Sequence, residues 1–88
     1  MTKVAFSSSF KRAFKKKIKK QKTFEDKFWE KVDIFIHNPF DNRLRTHKLS
    51  GKLRELSAFS IDYDNRVVFY FEDDRAIFVD IGPHDDVY

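Results

Sequence analysis

Apolar positions along this chain recur first at helical spacing and then at every second residue, which predicts helices followed by strands. Phe10, Ala13, Phe14 and Ile18 form one stripe, with Lys11, Lys15, Lys16, Lys19 and Lys20 around the remaining surface. That is an amphipathic helix, and Ser7, Ser8 and Ser9 ahead of it offer N-cap oxygens. Lys15 and Lys19 sit four apart and repel by roughly a few tenths of a kcal/mol, so packing must hold this helix. A second stripe, Phe24, Phe28, Val32, Phe35 and Ile36, begins at Thr23. Glu25 and Asp26 lie in its first turn, where carboxylates suit the positive end of the dipole. Pro39 ends it, because the residue before a proline is pushed out of the α region. With only Gln21 and Lys22 between them, the two helices are expected to form an antiparallel hairpin.

The period then becomes two. Residues 53–63, 66–72 and 75–81 read as strands, with Asp64-Asn65 and Asp73-Asp74 as two-residue hairpin turns. A short alternating segment, Lys3 to Phe6, is a further strand to be added at an edge. The expected fold class is α+β, one domain over residues 1–88. Its N-terminal helical hairpin packs on one face of a three- to four-stranded antiparallel sheet. Strict alternation assigns Phe59, Ile61, Val67, Phe69, Phe71, Ile77, Val79 and Ile81 to the helix side. The opposite face then carries Ala58, Ser60, Arg66, Val68, Tyr70, Ala76, Phe78 and Asp80. That set is too polar for a sealed core and too aromatic for a plain wetted surface. It reads either as a ligand groove centred on Arg66 or as an ordinary half-wet sheet face.

Composition narrows the class. At 88 residues, 41% apolar and 17% aromatic, the chain can bury a core and should fold. It contains no cysteine, which excludes disulfide scaffolds, zinc ribbons and thiol nucleophiles. The longest apolar run, residues 67–71, falls far short of the ~20 residues that span a bilayer. The charge run at residues 11–22 has no apolar segment after it, so nothing there reads as a secretory signal. A soluble intracellular protein is expected.

The net charge of +4 hides a gradient, because residues 1–54 carry a balance of +11 and residues 55–88 one of −7. Like charges packed so densely repel, and the basic half favours a polyanion or an acidic protein partner. Nucleic acid is the usual candidate, since each neutralised phosphate releases counterions. The plainer alternative is a lysine-rich helix that keeps the protein in solution.

Few constellations remain that do chemistry. Gly51 and Gly82 are the only glycines, so there is no glycine-rich phosphate loop, and neither a serine triad nor a metal-ligand spacing is evident. Three histidines are left. His37 falls in the last turn of the second helix, where an imidazolium complements the dipole, and reads as structural. His47 sits in the connector between helices and sheet. His84 follows Gly82-Pro83, a sharp break at a strand end. Imidazole titrates near neutral pH, so either can be a loop residue or a proton carrier.

Several segments in order carry a resemblance. They are Asn38-Pro39-Phe40, Leu44, His47-Lys48-Leu49-Ser50-Gly51, Asn65-Arg66-Val67-Val68-Phe69 and Gly82-Pro83-His84-Asp85-Asp86-Val87-Tyr88. Together they resemble the RelE/ParE toxin superfamily, and most of all its YafQ-like and YoeB-like mRNA interferases. The resemblance implies a ribosome-dependent endoribonuclease of a prokaryotic type II toxin–antitoxin pair, cytoplasmic and needing no metal or other cofactor. In such an enzyme the ribose 2′-hydroxyl attacks the adjacent phosphorus, which calls for a base, an acid and a cation. By position, His84 matches the family's C-terminal histidine and is assigned to protonating the leaving oxygen. Arg66 matches the strand arginine that stabilises the phosphorane, Tyr88 the terminal aromatic at the target nucleotide, and His47 the loop histidine, here the candidate base. Lys15, Lys16, Lys19 and Lys20, with Arg45, Lys48, Lys52 and Arg54, are the expected RNA contacts.

The chain departs from the family pattern in places. Pro83 replaces a small hydroxyl residue, Ser60 replaces a sheet histidine of YafQ-like members, and Ala58 and Phe59 replace paired arginines of YoeB-like members. Asp85 and Asp86 beside His84 favour its protonated form, which suits an acid more than a base. The expected partners are a cognate antitoxin protein, the ribosome and mRNA, with no membrane. The alternatives are a ParE-like gyrase inhibitor without nuclease chemistry, and a relative that only binds its antitoxin.

Overall fold

The serines ahead of the first apolar stripe act as a helix start. In the computed structural model, which describes residues 1–49 and 55–83, the Ser7 hydroxyl accepts the Phe10 N–H at 3.0 Å. Helix α1, Ser8–Lys20, follows, and Lys17, Lys19 and Lys20 lie in its last turn, at the negative end of the dipole. Residues 21–23 lead into α2, Phe24–His37. Thr23 makes no side-chain cap there, so Glu25 and Asp26 in the first turn are what favour this end. The Lys17 ammonium lies 5.7 Å from the Phe24 ring centroid across the junction, a cation–π contact.

Among the described residues the sheet has five strands: β1 (Lys3–Phe6), β2 (His47–Lys48), β3 (Ser57–Ser60), β4 (Asn65–Glu72) and β5 (Arg75–Pro83). Their spatial order is β1-β5-β4-β3-β2. The helices pack on this sheet in an α+β fold, with two differences from the expected antiparallel meander. Strand β1 pairs with β5 in parallel, so that Ser7, at the start of α1, donates its N–H to the Phe78 carbonyl at 3.0 Å. The connector that holds His47 contributes β2, a two-residue edge strand against Ala58 and Ser57.

One core fills the space between helices and sheet. Phe10, Phe24, Phe28, Val32 and Phe35 meet Phe59, Ile61, Val67, Phe69, Ala76, Phe78 and Ile81. Phe35 is its hub, with ring centroids at 4.7 Å from Phe59, 5.0 Å from Phe69 and 5.4 Å from Phe78. Fully burying one such side chain is worth about 1.5–3 kcal/mol.

Strict alternation fails on β5. Val68 pairs with Asp80 but Phe69 pairs with Phe78, so Val79 is an extra residue, a β-bulge. Ala76 and Phe78 therefore enter the core, while Val79 packs on the opposite face with Leu49, Leu56, Ala58 and Val68. Ile81, beyond the bulge, returns to the helix side. Two side chains hold the irregularity: the Ser9 hydroxyl donates to the Val79 carbonyl at 2.8 Å, and Asp80 Oδ1 accepts the Ile81 N–H at 2.8 Å.

The two hairpin turns also differ. Asp73-Asp74 is a two-residue turn as expected, with Glu72 opposite Arg75 and Asp73 at φ 56°. Asn65 instead belongs to β4, and the β3–β4 connection spans residues 61–64. Asp62 organises it, because its Oδ1 accepts from the Asp64 N–H, the Asn65 N–H and the Asn65 side-chain amide, each at 2.9 Å.

Candidate functional site

On the face away from the helices, pairing places residues in rows. His47, Ala58, Val68 and Asp80 form one row, and Ser60, Arg66 and Gly82 the next. The first row is partly sealed, since Ala58 and Val68 are buried under Leu49 with Leu56 and Val79. The second row opens. Ser60 and Gly82 flank Arg66 with little side-chain bulk, and Arg66 lines the space beside them. His47 and Arg66 share this face, and two strand spacings with two residues of rise separate their Cα atoms by about 12 Å. The mixed face expected from alternation is thus half apolar lid and half polar opening.

That opening is a cavity of about 680 Å³ at the sheet end. Lys31 from α2, Arg43 and Arg45 from the segment after it, and Arg66 from β4 supply four cations to its wall. Ser60, residues 61–64 and Pro83 complete it, so two carboxylates, Asp62 and Asp64, face those four charges. Arg45 reaches this position because it adopts φ 52°, ψ 41° as it leaves the 3₁₀ turn Asn42–Leu44.

Arg43 is held locally by a fork, its Nε and Nη2 each 3.0 Å from a carboxylate oxygen of Asp41. The same carboxylate accepts the Arg43 N–H at 2.9 Å. These hydrogen bonds lower the Asp41 pKa to about 2, and the carboxylate in turn raises that of Arg43.

His47 is exposed, and its Nδ1 lies 3.0 Å from the Arg45 carbonyl. A carbonyl only accepts, so Nδ1 carries the proton and, in the neutral ring, Nε2 carries the lone pair. That is the form a general base needs. His37 sits elsewhere, its Nδ1 donating to the Asp33 carbonyl at 2.8 Å within α2, as a structural histidine would.

Of the expected RNA contacts, Arg45 lines the cavity and Lys48 is exposed on β2 beside His47. Lys15, Lys16, Lys19 and Lys20 are exposed on α1. Lys16 and Lys20, with Lys17, also line a smaller hollow of about 320 Å³ against Asp80, Gly82 and Pro83. Pro83 walls both hollows, so the lysines of α1 approach the same sheet end as Arg66. His84, Tyr88, Lys52 and Arg54 lie outside the described residues. The sequence reading missed Lys31, Arg43, Asp62, Tyr63 and Asp64. The one signal for Asp62, Tyr63 and Asp64 is the Asp62-Tyr63-Asp64-Asn65 run, which the pattern divides between a strand end and the Asp64-Asn65 turn. Among the described residues no three histidine, cysteine, aspartate or glutamate side chains cluster as a metal site requires, and no helix is long and apolar enough to cross a membrane.

Residues 2–88 match the profile of a family described as the bacterial toxin of type II toxin-antitoxin system, YafQ. The chain is similar in structure to a copper-bound mutant toxin from Helicobacter pylori, at 26% identity, full coverage of both chains and a TM-score of 0.82. It is similar also to the toxin of an E. coli DinJ-YafQ complex, at 17% identity, with 100% of this chain and 99% of that one covered and a TM-score of 0.81. A YoeB/ParE toxin from Agrobacterium tumefaciens aligns at 14% identity over 93% of this chain and 98% of its own, with a TM-score of 0.77. No curated protein matches the sequence.

Proposed function

Because the chain belongs to the YafQ family of bacterial type II toxins, we propose that it is an mRNA endoribonuclease acting on the ribosome. The observation that carries this reading is the cavity around Arg66. One guanidinium stands between two small neighbours, among further cations, at the strand end that leads to His84. Its planar fork suits a phosphate whose charge grows as a fifth oxygen approaches.

In this reading His47 Nε2 takes the proton of the ribose 2′-hydroxyl, and the freed oxygen attacks the adjacent phosphorus. Arg66 stabilises the doubly charged phosphorane. The bond to the 5′-oxygen breaks as His84 donates a proton to it, and a 2′,3′-cyclic phosphate is left. Tyr88 holds the target nucleotide. Base, acid and cation are all side chains, so the scheme calls on no metal. Lys15, Lys16, Lys19 and Lys20, with Arg45, Lys48, Lys52 and Arg54, hold RNA backbone around the site. Work takes place in a prokaryotic cytoplasm.

A cognate antitoxin is the expected partner, supported by the E. coli YafQ relative, which is known in complex with DinJ. An acidic segment laid over this basic opening would occupy the cavity and stop the reaction.

The test is cleavage of mRNA on translating ribosomes. Wild-type protein should cut, and Arg66→Ala should lose about 10²–10³-fold in rate, the scale of removing one transition-state donor. A folded wild type that leaves mRNA intact would overturn the reading. So would toxicity that survives His84→Ala and shows as DNA damage, which would favour gyrase inhibition.

A further inference from the structure

The wall of the cavity carries an aromatic ring that the fold does not use. Tyr63 is 96% exposed, the most exposed aromatic among the described residues, and stacks on no other ring there. A single exposed aromatic on a loose loop would need no explanation. This one sits on a pinned loop. Only three residues separate Ile61 from Asn65, whose backbone groups close the turn at 2.9 Å. Asp62 Oδ1 gathers three N–H donors from Asp64 and Asn65, across Tyr63 in the chain. Tyr63 is thus presented on a backbone that has already given up its freedom, and binding to it costs little further ordering.

Its surroundings select the ligand. The same cavity holds Arg45, Lys31, Arg66 and the Asp41-paired Arg43 against Asp62 and Asp64, a wall with more cations than carboxylates that suits a phosphate backbone. Tyr63 lies three residues from Arg66, so at most about 11 Å of extended chain separates their Cα atoms. A π face beside tracked phosphates is how unpaired nucleotides are held without reading their base edges. We propose that Tyr63 is a stacking platform for an unpaired base flanking the phosphate that Arg66 contacts. The inference rests on the ribonuclease reading and adds a residue that it does not use.

The experiment uses the full chain and short single-stranded oligoribonucleotides, fluorescently labelled and 2′-O-methylated so that they cannot be cut. Tyr63→Ala should weaken binding about 5- to 150-fold, the scale of losing one base stack. Tyr63→Phe and Tyr63→Trp should stay within about twofold of wild type, since both keep a π face. The melting temperature should not move, because the ring is in water. An oligonucleotide with one abasic position should lose the difference between wild type and Tyr63→Ala at the position that stacks.

Cleavage on translating ribosomes gives the second readout, in which Tyr63→Ala should lower the rate and redistribute the cut sites. Equal rates and identical cut sites for Tyr63→Ala and wild type would overturn the platform while leaving the ribonuclease reading in place. A Tyr63→Ala protein that keeps its RNA affinity and loses affinity for the antitoxin would overturn it in favour of a protein contact. A wild type that neither binds the oligonucleotide nor cuts mRNA would overturn both.

Discussion

The two faces of this sheet are built from the same strands and obey different rules. Toward the helices, Phe59, Val67, Phe69 and Phe78 are wholly buried and close on Phe10, Phe28 and Phe35. Away from them, a small apolar cluster covers one row, and the next row is left open around Arg66. The helix side needs only apolar shape, so many packings of similar residues would serve it. The opening around Arg66 needs particular groups at particular places, and it receives them from α2, from the segment after it and from three strands. Fold and site are separable in this molecule because the core rings pack between helices and sheet, whereas the charged groups of the site gather at the sheet end.

That separation can be broken from either side. The largest effect belongs to Phe35→Ala, which removes the ring that meets Phe59, Phe69 and Phe78. It should cost about 3–5 kcal/mol, read as a lower urea midpoint, and unfolding at moderate temperature is its expected outcome. Arg66→Ala should do the opposite, leaving the urea midpoint close to wild type while activity falls. If Arg66→Ala instead unfolds the protein, the two faces are not independent.

Ser9→Ala tests the joint between them. Its hydroxyl is the side chain that reaches across to the Val79 carbonyl at the bulge. Losing that hydrogen bond should cost about 0.5–1.5 kcal/mol. If the bulge sets the position of the strand end that follows, cleavage should weaken by more than stability alone explains. A change in stability with unaltered cleavage by the folded fraction would show that the bulge serves packing only.

The smallest effect is expected at Asp41. Its folded pKa, near 2, lies below the ordinary carboxylate value. The unfolded chain therefore binds this proton first as the pH drops, and the stabilisation is present above pH ~4 and lost as the pH falls toward 2. The pair with Arg43 is at the surface, where water and salt screen it. Urea midpoints of wild type and Asp41→Asn should differ slightly at pH 5–7 and converge near pH 2. A gap that widens in acid would contradict the pairing.

Local physics was legible in the chain. Helical spacing of Phe10, Phe14 and Ile18, the Ser7 cap and the Asp73-Asp74 turn all depend on neighbours within a few residues, and each is present. The bulge at Val79 was not legible, because the hydroxyl that reaches it comes from Ser9, seventy positions earlier. Its absence from the pattern put Ala76 and Phe78 on the wrong face. Around the cavity, Arg66 stands out in the sequence as the lone cation of a mixed sheet face, and His47 lies outside that lining. Lys31 and Arg43 do not stand out, since one is an ordinary helix charge and the other a loop charge until the chain closes.

The sequence by itself determined the two amphipathic helices, the central residues of β1, β3, β4 and β5 and the basic first half, because periodicity and charge are properties of order along the chain. Only the tertiary structure decided the parallel edge strand, the face each residue of β5 presents, and the meeting of Lys31, Arg43, Arg45, Tyr63 and Arg66 around one cavity. Those depend on which distant segments touch, and a contact between positions far apart leaves no mark on the spacing of either.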